Sequence, residues 1–251
     1  VTLEEDLPTP LLELENVRKA FGSVVVADGL SMVVAEGETL GIVGPNGAGK
    51  TSVLNLVTGH LAPDVGRIFV AGSDITRLPA HARARLGIGR TYQIPRPFGG
   101  MTVFENVLLG ATFAGRGRHD GRDPAEVSVE ALDSTGLLDH ANVIAGALPL
   151  LDRKRLELAR AIAIQPRLLL LDEIAGGLTE GEVEVLTETM RRLRASGIAI
   201  VWIEHIVAAL LSIVDRLIAM DDGRILAEGD PAAVLANPAV HAVYLGEGPV
   251  A

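Results

Sequence analysis

The chain has 251 residues, 48% of them hydrophobic and 22% charged, enough for one large domain, or one domain with a lobe, around a sizeable core. Its net charge of −10, with Lys and Arg scattered, excludes a basic stripe of the kind that neutralises nucleic-acid phosphates and leaves room only for a small basic patch. With no cysteine, disulfides and thiolate metal sites are excluded, and with 3% aromatics the core must be aliphatic. Val1 to Pro10 is acidic and lacks the positive start and apolar run of a signal peptide. The longest apolar stretches, such as Ile206 to Val214, are far too short to span a membrane, so a soluble protein is expected, with any work at a membrane needing another chain.

Leu11 to Val17 alternates apolar and polar residues and predicts a half-buried strand. Val24 to Val26 and Leu30 to Val34 read as two short strands, punctuated by turns at Gly22, Gly29 and Glu36-Gly37. Thr39 to Val43 reads as a buried strand, and Arg67 to Ala71 as another after a turn over Pro63 to Gly66, so an antiparallel element surrounds the strand at 39–43. Phe21, in the first turn, would stack on a base if exposed, but a lone Phe is more often a core residue.

Between the strand at 39–43 and a helix expected from Lys50 to Gly59 lies GPNGAGKT, Gly44 to Thr51, which fits the phosphate-binding pattern G-x-x-x-x-G-K-[ST] in the strand–loop–helix context that pattern requires. Gly47 and Gly49 allow a tight backbone whose N–H groups point at phosphate oxygens, and the helix start adds unpaired N–H groups and a partial positive charge. Lys50 is expected to reach the β- and γ-phosphates, and the Thr51 hydroxyl to ligate Mg²⁺.

Leu86 to Tyr92 leads into Gln93 and the Pro- and Gly-rich run Ile94 to Gly100, which predicts a hinge. Thr102 and Glu105 have capping-box spacing, so a helix follows through Leu109 or beyond. Gly115 to Pro124 reads as a polar loop, and Ala125 to Thr135 as a helix ending near Gly136. His119 and His140 read as surface residues with no metal role. Leu151 to Ile164 is strongly helical and stops at Gln165-Pro166. Leu168 to Leu171 is wholly apolar, as in a parallel strand buried on both faces, and runs into Asp172-Glu173. Thr179 and Glu182 form a second capping box, opening a helix that runs to Gly197. Ile198 to Ile203 is another buried strand, ending in Glu204-His205. Two strands follow at Leu217 to Met220 and Arg224 to Glu228, then a tail, Pro231 to Leu245, helical in pieces.

Carboxylates and a histidine at the ends of buried strands lie where open α/β sheets bind ligands. With the glycine loop they form an inventory for phosphoryl transfer. Asp172 can hold Mg²⁺ through water, Glu173 can orient and deprotonate an attacking water, His205 can contact the γ-phosphate, and Gln93 can touch the metal or the water. Taken singly, each has an ordinary structural explanation; their order and placement together argue against it.

These residues resemble an ATP-binding subunit of an ABC transporter, over about Leu11 to Glu247. Gly44 to Thr51 resembles Walker A, Gln93 the Q-loop, Leu168 to Glu173 Walker B with its catalytic glutamate, and His205 the switch histidine. Within the family, Arg90 to Phe98 followed by Met101 to Val107, Ala175 to Glu180, Ile203 to His205 and Tyr244 to Glu247 look like branched-chain amino acid importers. The resemblance implies an α/β fold, a P-loop NTPase core of RecA-like type with an antiparallel β element and an inserted helical subdomain. It places the first part of the core at 11–93, the helical subdomain at 94–165 and the second part of the core at 166–251. It implies ATP hydrolysis with Mg²⁺, catalytic roles for Glu173, His205 and Gln93, metal ligation by Thr51, Gln93 and Asp172, and nucleotide contacts from Gly44, Asn46, Gly47, Ala48, Gly49, Lys50, Thr51 and Ser52. Phe21 then takes the place of the aromatic that stacks on adenine. Transmembrane permease subunits, a second ATPase subunit and, indirectly, a periplasmic or extracellular solute-binding protein are the expected partners, with the chain on the cytoplasmic face of the membrane and no nucleic acid. A soluble ABC ATPase acting on nucleic acid or ribosomes, and a weakly catalytic regulatory subunit, are the rival readings.

One segment departs from the family. Its signature, L-S-x-G-Q, should begin at Leu148, yet the chain reads Leu148-Pro-Leu-Leu-Asp152, with Pro149 for the serine and Leu151 for the glycine. The resemblance implies a head-to-tail pair in which signature serine and glycine of one subunit meet the γ-phosphate held by the other. Pro149 has neither hydroxyl nor N–H, and Leu151 blocks close backbone approach. A heterodimer with a partner carrying an intact signature is therefore favoured over a homodimer, with the helix-start N–H groups and Arg153 or Lys154 expected to compensate in part.

Overall fold

In the computed structural model, which describes residues 10–114 and 122–245, the chain forms β1 (Pro10–Phe21), β2 (Val24–Ala35), β3 (Thr39–Val43), α1 (Lys50–Thr58), β4 (Val65–Val70), β5 (Ser73–Asp74), α2 (Ala80–Arg85) and β6 (Ile88–Arg90). Then come α3 (Val103–Ala114), α4 (Pro124–Ser134), α5 (Leu150–Ala163), β7 (Leu168–Asp172), α6 (Glu180–Ala195), β8 (Ala199–Ile203), α7 (Val207–Leu211), β9 (Arg216–Asp221), β10 (Arg224–Gly229), α8 (Pro231–Leu235) and α9 (Pro238–Leu245). His119, most of the loop predicted over Gly115 to Pro124, and Gly246-Glu247 lie outside the described residues. His140 is exposed.

The larger sheet has the order β10-β9-β3-β8-β7-β6, parallel except for β10. Every residue of β3, β7 and β8 is buried, as expected of parallel strands covered on both faces. The period of two along β7 divides its leucines. Leu168 and Leu170 join a core shared with α1 and the small antiparallel sheet β2-β1-β4-β5, while Leu169 and Leu171 join a second core with α6 and α7. A third core packs Val107 of α3, Leu132 of α4 and Leu156 of α5. Each fully buried leucine contributes about 2 kcal/mol.

Both predicted capping boxes form. Thr102 N–H donates to Glu105 Oε2 at 2.7 Å and Glu105 N–H returns to Thr102 Oγ1 at 3.1 Å; Thr179 and Glu182 repeat the exchange at 2.8 and 3.4 Å. The two strands expected on either side of Gly29 are one strand, β2. Gly29 adopts φ +66° inside it, so the chain kinks with a register shift instead of turning. Gly197, at φ +82°, lies just beyond the cap of α6.

Helix α2 lacks an apolar stripe and is not legible in the sequence. A buried arginine secures it. Arg83 donates to the carbonyls of Leu56 and Val57 at the end of α1 (2.6 and 3.0 Å), and to those of Leu78 (2.8 Å) and Thr76 (2.9 Å). A cation here meets both the last-turn carbonyls and the negative end of α1. Arg83→Met is expected to cost about 3 kcal/mol, the net worth of a few charge-assisted hydrogen bonds. A thermal melt should then drop by about 6–12 °C; an unchanged melt would show that these bonds are offset by the cost of burying the charge.

Candidate active site

The loop after β3 is shaped by two glycines that admit no side chain. A Cβ at Gly44 would lie 2.2 Å from the Met220 carbonyl of β9, and one at Gly49 would lie 2.3 Å from the Val26 carbonyl of β2. Gly47 and Gly49 have φ of +88° and +96°, which favours glycine, and Ala48 packs beneath the loop. Asn46 and Gly47 are exposed at the loop's crest, Ser52 is half-buried and Thr51 faces out from the first turn of α1. No acidic residue occupies that turn, so its free N–H groups keep their positive field. Lys50 is buried, and its Nζ donates to the Gly44 and Pro45 carbonyls at 2.7 and 2.9 Å. Burial pushes its pKa below the usual lysine value, while the Glu173 and Asp172 charges pull the other way.

The strand order brings the remaining groups to this loop. Between β3 and β7 runs β8, so the strand ends carrying Gly44, His205 and Asp172-Glu173 are adjacent, and β6 delivers Gln93 from the far side of β7. Asp172 is buried. Its Oδ1 accepts from Thr51 Oγ1 at 3.1 Å and its Oδ2 from Arg90 at 3.0 Å. Glu173 leaves the strand in the left-handed region, φ +48°, an uncommon conformation for a non-glycine residue and one that clusters at functional sites. Its N–H donates to Ile203 O at 2.9 Å, tying it to β8. Its Oε2 accepts from Gln93 Nε2 at 2.5 Å, and its Oε1 lies 2.7 Å from His205 Nε2. The Gln93 amide therefore rests on Glu173 and not on the Thr51–Asp172 pair. This cluster offers a buried cation, two adjacent oxygens suited to a hard metal ion, and a carboxylate aimed by two polar neighbours.

Phe21 ends β1 and is 51% exposed, against the expectation for a lone Phe. The Lys19 ammonium lies 5.3 Å from its ring centroid and is itself held by Asp64 at 2.7 Å. Phe21 pairs with Val24 across the hairpin whose second strand presents Val26 to Gly49.

Two residues of the site, Arg90 and Glu204, were not singled out in the sequence as functional, and a third, Lys154, was expected to act elsewhere, at the altered signature. Arg90 grips Asp172. Glu204, buried, accepts from Ala175 N–H at 2.7 Å and His205 N–H at 3.2 Å, joining the loops after β7 and β8; burial raises its pKa. Lys154, also buried, faces the charges of Glu204 and Glu173, and burial lowers its pKa. An acidic residue directly after an apolar strand was the one available signal for Glu204.

At the altered signature, Pro149 caps α5 with no side-chain hydrogen bond, and Leu150 is 44% exposed beside it. Of the groups expected to compensate there, Arg153 and Lys154 have other partners within the chain. Arg153 folds back onto the carbonyls of Leu148 and Gly146 at 2.7 and 3.0 Å, and Lys154 is buried toward the two glutamates. Beyond the hinge, a cavity of about 260 Å³ is lined by Thr58, His60, Arg83, Arg90, Tyr92 and Arg160. The Pro- and Gly-rich run after Gln93 exposes Ile94 and Phe98, while Asn106 and Arg160 bind its backbone to α3 and α5. Among the described residues no helix is long and apolar enough to cross a membrane.

A family model described as ABC transporter matches residues 27–176, and one described as branched-chain amino acid ATP-binding cassette transporter matches residues 224–250. The chain is 35% identical to the high-affinity branched-chain amino acid transport ATP-binding protein BraF of Pseudomonas aeruginosa, over 95% of this chain and 98% of BraF. It is 36% identical to the lipopolysaccharide export system ATP-binding protein LptB of Acidithiobacillus ferridurans, over 94% and 97%. Among solved structures, a nucleotide-free ATP-binding cassette from an ABC transporter superposes with a TM-score of 0.86 at 32% identity, covering 95% of this chain and all of that one. A dimeric cassette in a post-hydrolysis state bound to ADP and phosphate reaches 0.77 at 25% identity, covering 86% and 97%. With the glycine loop, the strand-end carboxylates and His205 assembled around one crevice, this chain belongs to the ABC transporter family, as one of its nucleotide-binding ATPase cassettes.

Proposed function

We propose that the chain hydrolyses ATP to drive an importer of branched-chain or related amino acids. The observation that carries the chemistry is the convergence of Lys50, Thr51, Asp172, Glu173, Gln93 and His205 on one crevice. The solute class rests on the likeness to BraF and on the C-terminal match at 224–250; similar identity to LptB shows that overall identity alone does not select a solute.

Gly44, Asn46, Gly47, Ala48, Gly49 and Ser52 supply backbone and side-chain donors to the phosphates, Lys50 exchanges its loop carbonyls for phosphate oxygens, and Phe21 stacks on the base. Thr51 and Asp172, with oxygens 3.1 Å apart, suit Mg²⁺, and Gln93 is placed to sense its surroundings. When bound, the metal neutralises charge on the phosphates. Glu173 takes a proton from the attacking water, and His205 contacts the γ-phosphate and holds Glu173 in place. The third core supports treating 94–165 as a helical lobe, distinct from a core made of 11–93 and 166–251. The cavity beside the hinge and the exposed Ile94 and Phe98 suit a transmembrane permease subunit, which would hold the chain at the cytoplasmic face of the membrane while a solute-binding protein acts on the other side. Pro149 and Leu151 favour a second, different ATPase subunit.

Lys50→Ala tests the reading. ATP affinity should fall by about a hundredfold, since a buried charged partner is lost, and hydrolysis should fall with it. A variant that binds and splits ATP like the parent would end the proposal. For the solute, ATP-driven leucine uptake by proteoliposomes containing the complete transporter is the expected result; uptake of an unrelated solute alone would reassign it.

A further inference from the structure

Arg90 ends β6, three residues before Gln93, and none of the roles above uses it. Its side chain is 6% exposed and that of Asp172 is 5%. One terminal nitrogen donates to Asn55 Oδ1 at 2.7 Å and Thr58 Oγ1 at 3.3 Å; the other donates to Asp172 Oδ2 at 3.0 Å. Nε finds no hydrogen-bond partner, and the guanidinium lies 5.0 Å from the centroid of the Tyr92 ring. Tyr92 meets His60 edge-on, and His60 Nδ1 is 2.8 Å from Thr58 Oγ1. Arg90, Tyr92, His60 and Thr58 all line the cavity beside the hinge. One cation thus forms both a wall of that cavity and the clamp on a site carboxylate.

A buried guanidinium is costly unless its geometry is well used. Here the use is directional. With Oδ2 fixed on Arg90, the Asp172 carboxylate cannot spin, and Oδ1 stays on the Thr51 hydroxyl. The fork of Arg90 suits this task, because two terminal nitrogens held in one plane point separately at Asn55 and Asp172, whereas a lysine offers one rotatable nitrogen on a flexible stem.

We propose that Arg90 is the positioning residue that fixes Asp172 beside Thr51 and links the state of the cavity to the metal end of the nucleotide site. This rests on the ATP–magnesium reading of the site.

The test is the affinity of the full-length chain for a fluorescent ATP analogue, measured once with magnesium and once with EDTA. Arg90→Met should shrink the magnesium-dependent gain in affinity about tenfold, the worth of one charged hydrogen bond, and leave the EDTA affinity unchanged. Arg90→Lys should lose most of that gain as well. Asn55→Ala, which removes a hydrogen-bond partner of Arg90, and Tyr92→Ala, which removes the cavity-side ring against it, should each shrink it about threefold. A full magnesium gain in Arg90→Met, or an equal loss with EDTA, overturns the positioning role. No change in Tyr92→Ala overturns the link to the cavity. Should Arg90→Met fail to give a cooperative melt, Arg90→Lys and Asn55→Ala carry the same comparison. Lys50→Ala separates this inference from its parent: it should lose affinity under both conditions, and normal binding there would reject the ATP reading itself.

Discussion

Restoring Pro149→Ser and Leu151→Gly together is expected to raise ATP turnover of the purified, self-paired chain by about a hundredfold. The proposed head-to-tail pair sets each bound nucleotide against the start of the partner's α5. In this chain that start offers a proline without hydroxyl or N–H, and the exposed Leu150 next to it. The neighbouring cations are engaged within the chain, Arg153 on two carbonyls and Lys154 in a buried position. A serine donor to a charged oxygen would restore about 1.5–3 kcal/mol, and a glycine would let the backbone approach. Phosphate release by the parent and the double variant, at matched concentration, is the measurement. No gain would mean that this segment does not face a nucleotide in the self-paired state, and the case for an unlike partner would lose its physical basis.

Glu173→Gln is expected to lower turnover by about a thousandfold, within the range assigned to a positioned general base, while nucleotide affinity is retained. The amide keeps the shape but cannot take a proton. Lys50, Thr51 and Asp172, which bind the phosphates and metal in the proposed scheme, do not depend on the Glu173 side chain for a hydrogen bond. The left-handed backbone of Glu173 and its anchors on Gln93 and His205 imply that position as well as charge matters. Glu173→Asp, which retains the carboxylate but retracts it, should therefore also be severely impaired. Turnover in Glu173→Gln within tenfold of the parent would show that another group activates the water.

Features that depend on residues close in the chain were legible from the start. The glycine loop is eight consecutive residues, and each capping box needs only a residue and its third neighbour. The buried strands β7 and β8 announced themselves as apolar runs with polar ends. Gly29 misled because a glycine with positive φ serves a kink within a strand as well as a turn between strands. Helix α2 carries no periodic stripe, since what holds it is one arginine on distant carbonyls and not an apolar face.

The sequence by itself determined the glycine loop and the strand-end carboxylates, because both are written in local spacing, and its motifs carried the resemblance to the family. Only the tertiary structure decided that β8 lies between β3 and β7, which sets His205 against Glu173, and that Arg90 clasps Asp172 across 82 positions of chain. It also showed that Arg153 folds onto the carbonyls of Leu148 and Gly146 and that Lys154 is buried facing the charges of Glu204 and Glu173. These outcomes depend on which distant surfaces pack together, and hydrophobic periodicity marks that a face is buried without saying what covers it.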